Sequence, residues 1–204
     1  MKRVAAAAMV WAVAVCPAGA QVLTTAATLG KGAQGVFASD NWIFVDGARL
    51  HIIAGQYVRG VTSRLDVYFV ASETRTADEA GEVILSQLSL GIGGNWTVAR
   101  WKGFSVSLFG IVSVPITRRG QASDVLANPA LVVSRTVVKD RLVLYGGVNA
   151  LVPIGHRSRG WFTPPNTKVN VPAGALVMLG KWGIFGEVDI GPLTAVGVGL
   201  SRMF

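Results

Sequence analysis

Alternation between large apolar side chains and small or polar ones is the dominant pattern along this chain. Between residues 85 and 96 the two sets occupy opposite faces of an extended backbone. One face carries Leu88, Leu90, Ile92 and Trp96, and the other carries Gln87, Ser89, Gly91, Gly93 and Asn95. A period of two is typical of a β-strand whose faces meet two different environments.

The same pattern and the turn residues between its repeats predict ten strands, with eight as the alternative count. Most have the length of about 9–11 residues that a tilted strand needs to cross a bilayer. Pro129 and Pro172 lie at or within predicted strands, where they mark bulges or shortened strands, because proline cannot donate a ladder hydrogen bond. The predicted strands are Gly35–Val45, Arg49–Val58, Leu65–Glu73, Leu85–Trp96, Phe104–Pro115, Ala130–Val138, Leu142–Val152, Val169–Leu179, Trp182–Ile190 and Ala195–Phe204.

Periodicity alone leaves open which face of each strand is inside, and the first strand offers two competing apolar faces. The connections favour a membrane barrel, since the long polar ones all fall on one side, together with the short 46–48 and 191–194, and the other side has only short ones. The long ones are 74–84, 116–129 and 153–168, and the opposite side has 59–64, 97–103, 139–141 and 180–181. Long extracellular loops and short periplasmic turns are the outer-membrane arrangement. We therefore predict an all-β, up-and-down antiparallel transmembrane β-barrel.

The N-terminus has the features of an export signal. Lys2 and Arg3 precede an apolar run, 4–15, which is followed by a small-residue cleavage site ending at Ala20. The run is too short for a spanning helix of about 20 residues. We expect residues 1–20 to be a cleaved signal peptide, 21–34 a periplasmic lead-in and 35–204 the barrel. Cys16 lies within the signal peptide, so we expect a mature chain without disulfides.

The last nine residues, Val196–Phe204, alternate and end on an aromatic side chain. This resembles the C-terminal signature of bacterial outer-membrane β-barrels, although Arg202 stands where that signature prefers an apolar residue. The resemblance implies an outer-membrane location and recognition of Phe204 by the barrel-assembly machinery. The stretch Gly55–Tyr68 is also similar to the second hairpin of the transporter-like barrels grouped with aromatic degradation, which implies uptake of small hydrophobic or aromatic compounds.

Composition narrows the range of partners. The mean hydropathy is +0.48 and charged residues make up 15% of the chain, with 19 Lys and Arg against 11 Asp and Glu. A basic balance suggests nucleic acid in an intracellular protein, but an exported barrel meets lipopolysaccharide phosphates instead. We expect outer-membrane lipid and lipopolysaccharide as partners, no nucleic acid, no cofactor and no metal site.

The lumen is the first candidate site. If the apolar faces look outward, the acidic residues Asp66, Glu187 and Asp189 look inward. Buried charges must be paired, and predicted depths place Arg49 and His51 near Asp189, and Arg135 near Asp66. This ion network either fills and registers the barrel, or lines a narrow path for solutes.

The second candidate site is the basic outer loops. The loop 153–168 brings His156, Arg157 and Arg159 together with Trp161 and Phe162, and the loop 116–129 adds Arg118 and Arg119. Such a patch suits phosphate or another anionic ligand. The alternative is an ordinary solvated surface.

Three classes of function follow. The leading one is an outer-membrane barrel, either structural or a narrow passive transporter of small solutes. The second is a lipopolysaccharide-binding, ligand-binding or adhesion barrel acting through the basic loops. The third is a lipid-modifying enzyme, since His156 and Ser158 have the spacing seen in outer-membrane lipid A deacylases. We expect no enzyme and no catalytic residues, because two histidines leave few groups for general acid–base chemistry.

Overall fold

The computed structural model describes residues 25–45, 48–77, 83–116, 125–139, 141–155 and 167–204. These residues form a closed barrel of ten antiparallel strands, as the sequence predicts. The strands are β1 (Gln34–Val45), β2 (Ala48–Gly60), β3 (Leu65–Ala77), β4 (Val83–Trp101), β5 (Phe104–Ile116), β6 (Val125–Val138), β7 (Leu142–Gly155), β8 (Lys168–Leu179), β9 (Trp182–Ile190) and β10 (Thr194–Met203).

Each strand pairs with its neighbours in sequence, and β10 pairs with β1 to close the ring. The closing register runs from Gly35 opposite Met203 to Phe44 opposite Thr194. Beyond β10, the backbone N–H of Phe204 donates to the carbonyl oxygen of Gln34 at 3.0 Å. Closure therefore satisfies the backbone groups that an open edge strand would leave unpaired.

The alternation of apolar and polar residues predicted from the sequence matches the two faces of the barrel wall. In β4 the apolar residues Leu88, Leu90 and Ile92 are 47–54% exposed, whereas Gln87 and Ser89 between them are buried. In β1, the strand with two competing faces, Val36, Trp42 and Phe44 point outward, and Phe37 and Ile43 point inward. An apolar exterior around a more polar interior is the arrangement of a barrel in lipid.

The two ends of the barrel differ. The inner end has the connections 61–64, 102–103, 139–141 and 180–181, and the opposite end is called the outer end. The turn at Lys102 and Gly103 has φ values of 41° and 83°, which fit a two-residue hairpin of the mirror-image type. Trp96, Trp101 and Trp182 lie near the inner end on the exterior of the barrel, where they are about half exposed, as expected of an interfacial girdle.

Several strands extend beyond their predicted bounds, and β4 and β6 do so the most. β4 continues to Trp101, with a bulge between Thr97 and Ala99. β6 begins at Val125 rather than at Ala130, so Pro129 lies within it. The ladders of β7 skip the positions of Pro129 on one side and of Pro172 on the other, because neither proline has an N–H to donate.

Residues 25–33, which precede β1, fold into the inner mouth of the barrel, where Ala26 is fully buried. Residues 1–24, which include the predicted signal peptide, lie outside the described part of the chain. No helix within the described residues has the length and apolar character to cross a membrane.

The apolar exterior predicts that a charged side chain introduced there destabilises the folded barrel. Leu90→Arg should destabilise the folded barrel by about 2–4 kcal/mol in liposomes, since position 90 lies well inside the outward apolar face. Val61→Arg in an inner turn is the matched control and should cost no more than about 1 kcal/mol. Urea titration followed by heat-modifiable gel mobility measures both values. Equal costs at the two positions would contradict a lipid-facing β4.

The closing strand predicts an assembly defect. Deleting Phe204 should leave export intact but reduce insertion, because it removes the expected recognition residue and the last hydrogen bond to Gln34. The folded fraction in outer membranes, measured by heat-modifiable mobility, reports the effect. Phe204→Tyr keeps an aromatic end and is the control. Normal insertion of the deletion variant would show that Phe204 carries no assembly signal.

Candidate functional site: the barrel lumen

The buried polar side chains of the described strands all point into the lumen. Most of them lie in its outer half, between mid-height and the outer rim. Serine, threonine and amide side chains dominate this zone, and two carboxylates join them. We call it the polar chamber, and define it by Asn41, Ser72, Thr74, Gln87, Ser89, Ser113, Asn128, Asn149, Asn170, Glu187 and Asp189.

The carboxylates of the chamber are both on β9. Glu187 and Asp189 are two residues apart, so they share the inward face, and they are 7% and 2% exposed. Pro172 lies opposite Asp189 in the ladder, and Gly174 lies opposite Glu187. Neither of these neighbours on β8 carries a charged side chain. The outer half of the lumen therefore has an acidic wall.

Tyr145 reaches this wall across a glycine. It lies opposite Gly174, which in turn lies opposite Glu187. A Cβ at position 174 would lie 2.5 Å from both Cζ and the hydroxyl oxygen of Tyr145. The tyrosine ring thus fills the place of the missing side chain, and its hydroxyl interacts electrostatically with Glu187.

Several polar atoms of the chamber have no hydrogen-bond partner among the described residues. They are the Oγ1 of Thr74, the Oγ of Ser89, the Nδ2 of Asn149 and the Oδ1 of Asp189. Buried polar groups are nearly always hydrogen-bonded to protein or to ordered water. The chamber is thus suited to hold water or a small polar solute.

Apolar side chains close the lumen on both sides of the chamber. The outer apolar layer consists of Ile43, Leu50, Ile52, Leu126, Leu151, Leu193 and Ala195. The inner apolar layer is built around Val58, Tyr68, Val70, Phe109, Ile111, Ala130, Val132, Tyr145, Leu176 and Phe185, and includes Ala26. Tyr68 and Phe109 meet edge to face, with centroids 5.5 Å apart. Large apolar side chains therefore line the lumen toward both of its ends.

The prediction that Arg49 and His51 point inward is wrong. The inward residues of β2 at that height are Leu50 and Ile52, because the outer rim of the lumen is apolar. His51 instead stacks on Trp42 outside the barrel, with ring centroids 4.4 Å apart. Its Nε2 lies 2.5 Å from the Oδ1 of Asp40, which also faces outward.

The predicted pairing of Asp66 with Arg135 is also wrong. Arg135 lies opposite Phe104 on the outer surface, and its guanidinium covers that ring at 5.0 Å from the centroid. Asp66 does point inward, at the inner mouth, where its Oδ2 accepts a hydrogen bond of 2.9 Å from the backbone N–H of Leu29. Side chains alternate along β6, and Ser134 takes the inward position, so its neighbour Arg135 points outward.

The predicted outer basic patch lies outside the described residues. Arg118 and Arg119 fall in the segment 117–124, and His156, Arg157 and Arg159 fall in the segment 156–166, as do Trp161 and Phe162. Phosphate binding by these loops stays a prediction. Among the residues that are described, no group of three or more His, Cys, Asp or Glu side chains is placed to hold a metal ion.

Sequence reasoning missed two features of the lumen. The first is the ring of amides Asn128, Asn149 and Asn170 on three consecutive strands, which alternation on β6–β8 would have revealed once the face was known. The second is the inward folding of residues 25–33, for which the sequence carries no periodic signal.

Comparisons with known proteins bear on the fold. No protein-family model matches the sequence, and no curated protein matches it. Among solved structures, the COG4313 outer membrane channel from Pseudomonas putida F1 is similar with a TM-score of 0.60 and 13% identity, over 90% of this chain and 100% of that one. The N-terminal barrel domain of Pseudomonas aeruginosa OprF matches with a TM-score of 0.40 and 10% identity, over 86% of this chain and 99% of that one.

At 13% identity the similarity to the channel shows the fold alone. That fold is the bacterial outer-membrane β-barrel, and the described exterior has the apolar belt that such a barrel presents to lipid. Together they place this chain in the outer membrane.

The contact of Tyr145 with position 174 predicts a packing defect. Gly174→Ala should destabilise the barrel by about 1–3 kcal/mol, because the added methyl group overlaps the tyrosine ring and the ring has to move. Gly186→Ala is the matched control, since its nearest neighbour would be 3.9 Å away. Urea unfolding in liposomes compares the stabilities of the two variants. Equal stabilities would mean that Tyr145 is not held across Gly174.

Proposed function

We propose that this barrel is a narrow passive channel for small polar solutes. The observation that carries the proposal is the polar chamber, in which inward carboxylates and amides are enclosed between two apolar layers. The similarity in fold to an outer membrane channel supports it. The chamber supplies hydrogen-bonding groups for a hydrated solute, and the apolar layers keep the path narrow.

The charges of the chamber favour positively charged or neutral solutes. Glu187 and Asp189 are the ionisable side chains of the polar chamber, whereas Arg49, His51 and Arg135 lie on the outside. Rings of carboxylates select cations, and apolar constrictions gate conduction by dewetting. We therefore expect a small conductance with a preference for cations.

The charge distribution also bears on the alternative of a purely structural barrel. Ion pairs that the structure forms, between His51 and Asp40 and between Arg75 and Glu73, lie on the outer surface. A lumen filled only for stability would bring base and acid together inside. Arg49 and Arg135 point outward, so the pairs predicted with Asp189 and Asp66 are not formed, which supports a path rather than a plug of charges.

A second class of solute is small ring compounds. The similarity of Gly55–Tyr68 to barrels grouped with aromatic degradation implies such solutes. The inner apolar layer favours them, because Tyr68, Phe109, Tyr145 and Phe185 offer ring faces and edges. Liposome swelling in catechol and in a sugar of similar size separates the two classes. Faster entry of the sugar would leave the aromatic preference without support.

The acidic wall predicts a loss of selectivity. The double variant Glu187→Gln, Asp189→Asn should conduct with a reduced cation preference, because it removes the two charges of the chamber while nearly keeping its volume. The reversal potential of a planar bilayer in a salt gradient measures this. Glu73→Gln, which changes a carboxylate on the outside, is the control and should keep the wild-type potential. An unchanged potential in the double variant would exclude the chamber as the selective part of a path.

A further inference from the structure

The segment Thr25–Ala33 occupies the inner mouth of the lumen. Ala26 is fully buried within the inner apolar layer, and Leu29 packs against the same layer. The next residues turn back toward the wall, where the N–H of Gly32 donates to the carbonyl oxygen of Gly60 at 2.8 Å. The segment thus enters the lumen and leaves it again before β1 begins.

Inward polar side chains of β3 and β4 hold the backbone of this segment. The Oγ1 of Thr97 donates to the carbonyl oxygen of Ala26 at 2.8 Å, and the Nδ2 of Asn95 donates to that of Thr25 at 3.2 Å. Asp66 accepts from the N–H of Leu29. The wall therefore recognises the main chain of the segment, while its small side chains fit the narrow mouth.

The wall has a position that only glycine allows. A Cβ at position 60 would lie 1.8 Å from the carbonyl oxygen of Gly30 and 2.7 Å from its carbonyl carbon. The backbone of the segment thus lies directly on the end of β2. Any side chain at position 60 would push the segment away from the wall.

These contacts differ from those of a strand in the ladder. Apart from the bonds with Gly60, side chains supply the contacts, and those side chains face a mouth that opens toward water. Water can hydrate Asp66, Asn95 and Thr97 when the segment leaves. Its departure therefore leaves no buried polar group without a hydrogen-bond partner. Departure does remove Ala26 and Leu29 from the inner apolar layer, which opens that layer.

We propose that Thr25–Ala33 is a displaceable plug that closes the inner mouth of the barrel. The plug rests on the proposed channel function, which supplies the reason for closing the mouth. Its occupant is this chain's own segment, which is held through its backbone carbonyls, the N–H groups of Leu29 and Gly32, and the hydroxyl of Thr28. Opening consists of withdrawing Ala26 and Leu29 from the inner apolar layer, after which solutes reach the polar chamber.

Entry of a small reagent into the chamber tests the plug. Ser89→Cys places a thiol in the chamber, in a Cys16→Ser background because Cys16 is the chain's sole cysteine. The refolded full chain is treated with a small water-soluble methanethiosulfonate. Gly60→Ala should raise the labelling rate by about tenfold, since it shifts the plug from bound to displaced. Gly55→Ala is the matched control on the same strand, because a Cβ there meets nothing within 4 Å.

Heat-modifiable mobility shows whether Gly60→Ala folds. A second variant tests the plug if it does not. Thr97→Val removes the hydrogen bond to Ala26 and keeps the shape of the side chain, so it should also raise the labelling rate. Thr136→Val, at an exposed position of β6 outside both the plug and the polar chamber, is its control. Labelling at the control rate in both Gly60→Ala and Thr97→Val would overturn the plug.

Conductance of the same variants separates the plug from the channel. Faster labelling together with larger or more frequent openings supports both proposals. Faster labelling without conductance in any variant keeps the plug and overturns the passive channel. Conductance in the wild-type chain with no change in labelling or openings on Gly60→Ala overturns the plug and leaves the channel standing.

Discussion

Pairing of β1 with β10 is the contact on which the rest of this barrel depends. A strand in hydrocarbon has no water to satisfy its N–H and C=O groups, so an open edge would cost several kcal/mol for each unpaired group. The register from Gly35–Met203 to Phe44–Thr194 removes that edge. Once the ring is closed, each wall side chain faces either the lipid or the lumen, and the alternation along its strand decides which, except where a bulge such as that at Thr97–Ala99 shifts it.

Closure also limits the space inside, and glycines on the wall distribute it. A ring of ten strands encloses little more than its own side chains fill. Large inward side chains therefore lie against glycines. Tyr145 covers Gly174, and a Cβ at position 199 would lie 2.2 Å from Cζ of Phe185. Because large side chains take the space that the glycines leave, the inner half of the lumen is tightly packed.

On the outer half of the barrel's exterior, charged side chains gather on one side. Among the described residues, Asp40, Arg49, His51, Glu73 and Arg75 lie on the outer half of β1–β3, where other strands carry apolar residues. Arg75 binds Glu73 through its Nε and Nη2 at 3.0 and 3.2 Å. Pairing and a position near the outer rim reduce the cost of charge on a lipid-facing wall. Outward placement of these bases is also why the lumen has an acidic wall.

Local pattern alone determined much of the fold. Alternation on the fourth predicted strand gave its faces correctly, and the turns gave the number of strands, because a two-residue period and glycine-rich turns are properties of short stretches of chain. The inward direction of Asp66, Glu187 and Asp189 followed from the same rule, since each strand has a clear apolar face opposite the acid.

Tertiary structure decided what the pattern left ambiguous. Around Arg49 and His51, both faces of the strand carry residues that suit an interior, and the apolar outer rim of the lumen settled the parity. The contact of Tyr145 with Glu187 depends on two ladder registers, and the position of residues 25–33 depends on side chains about 40–70 positions later in the chain. Such contacts have no local signature, because the residues that make them become neighbours only when the barrel closes.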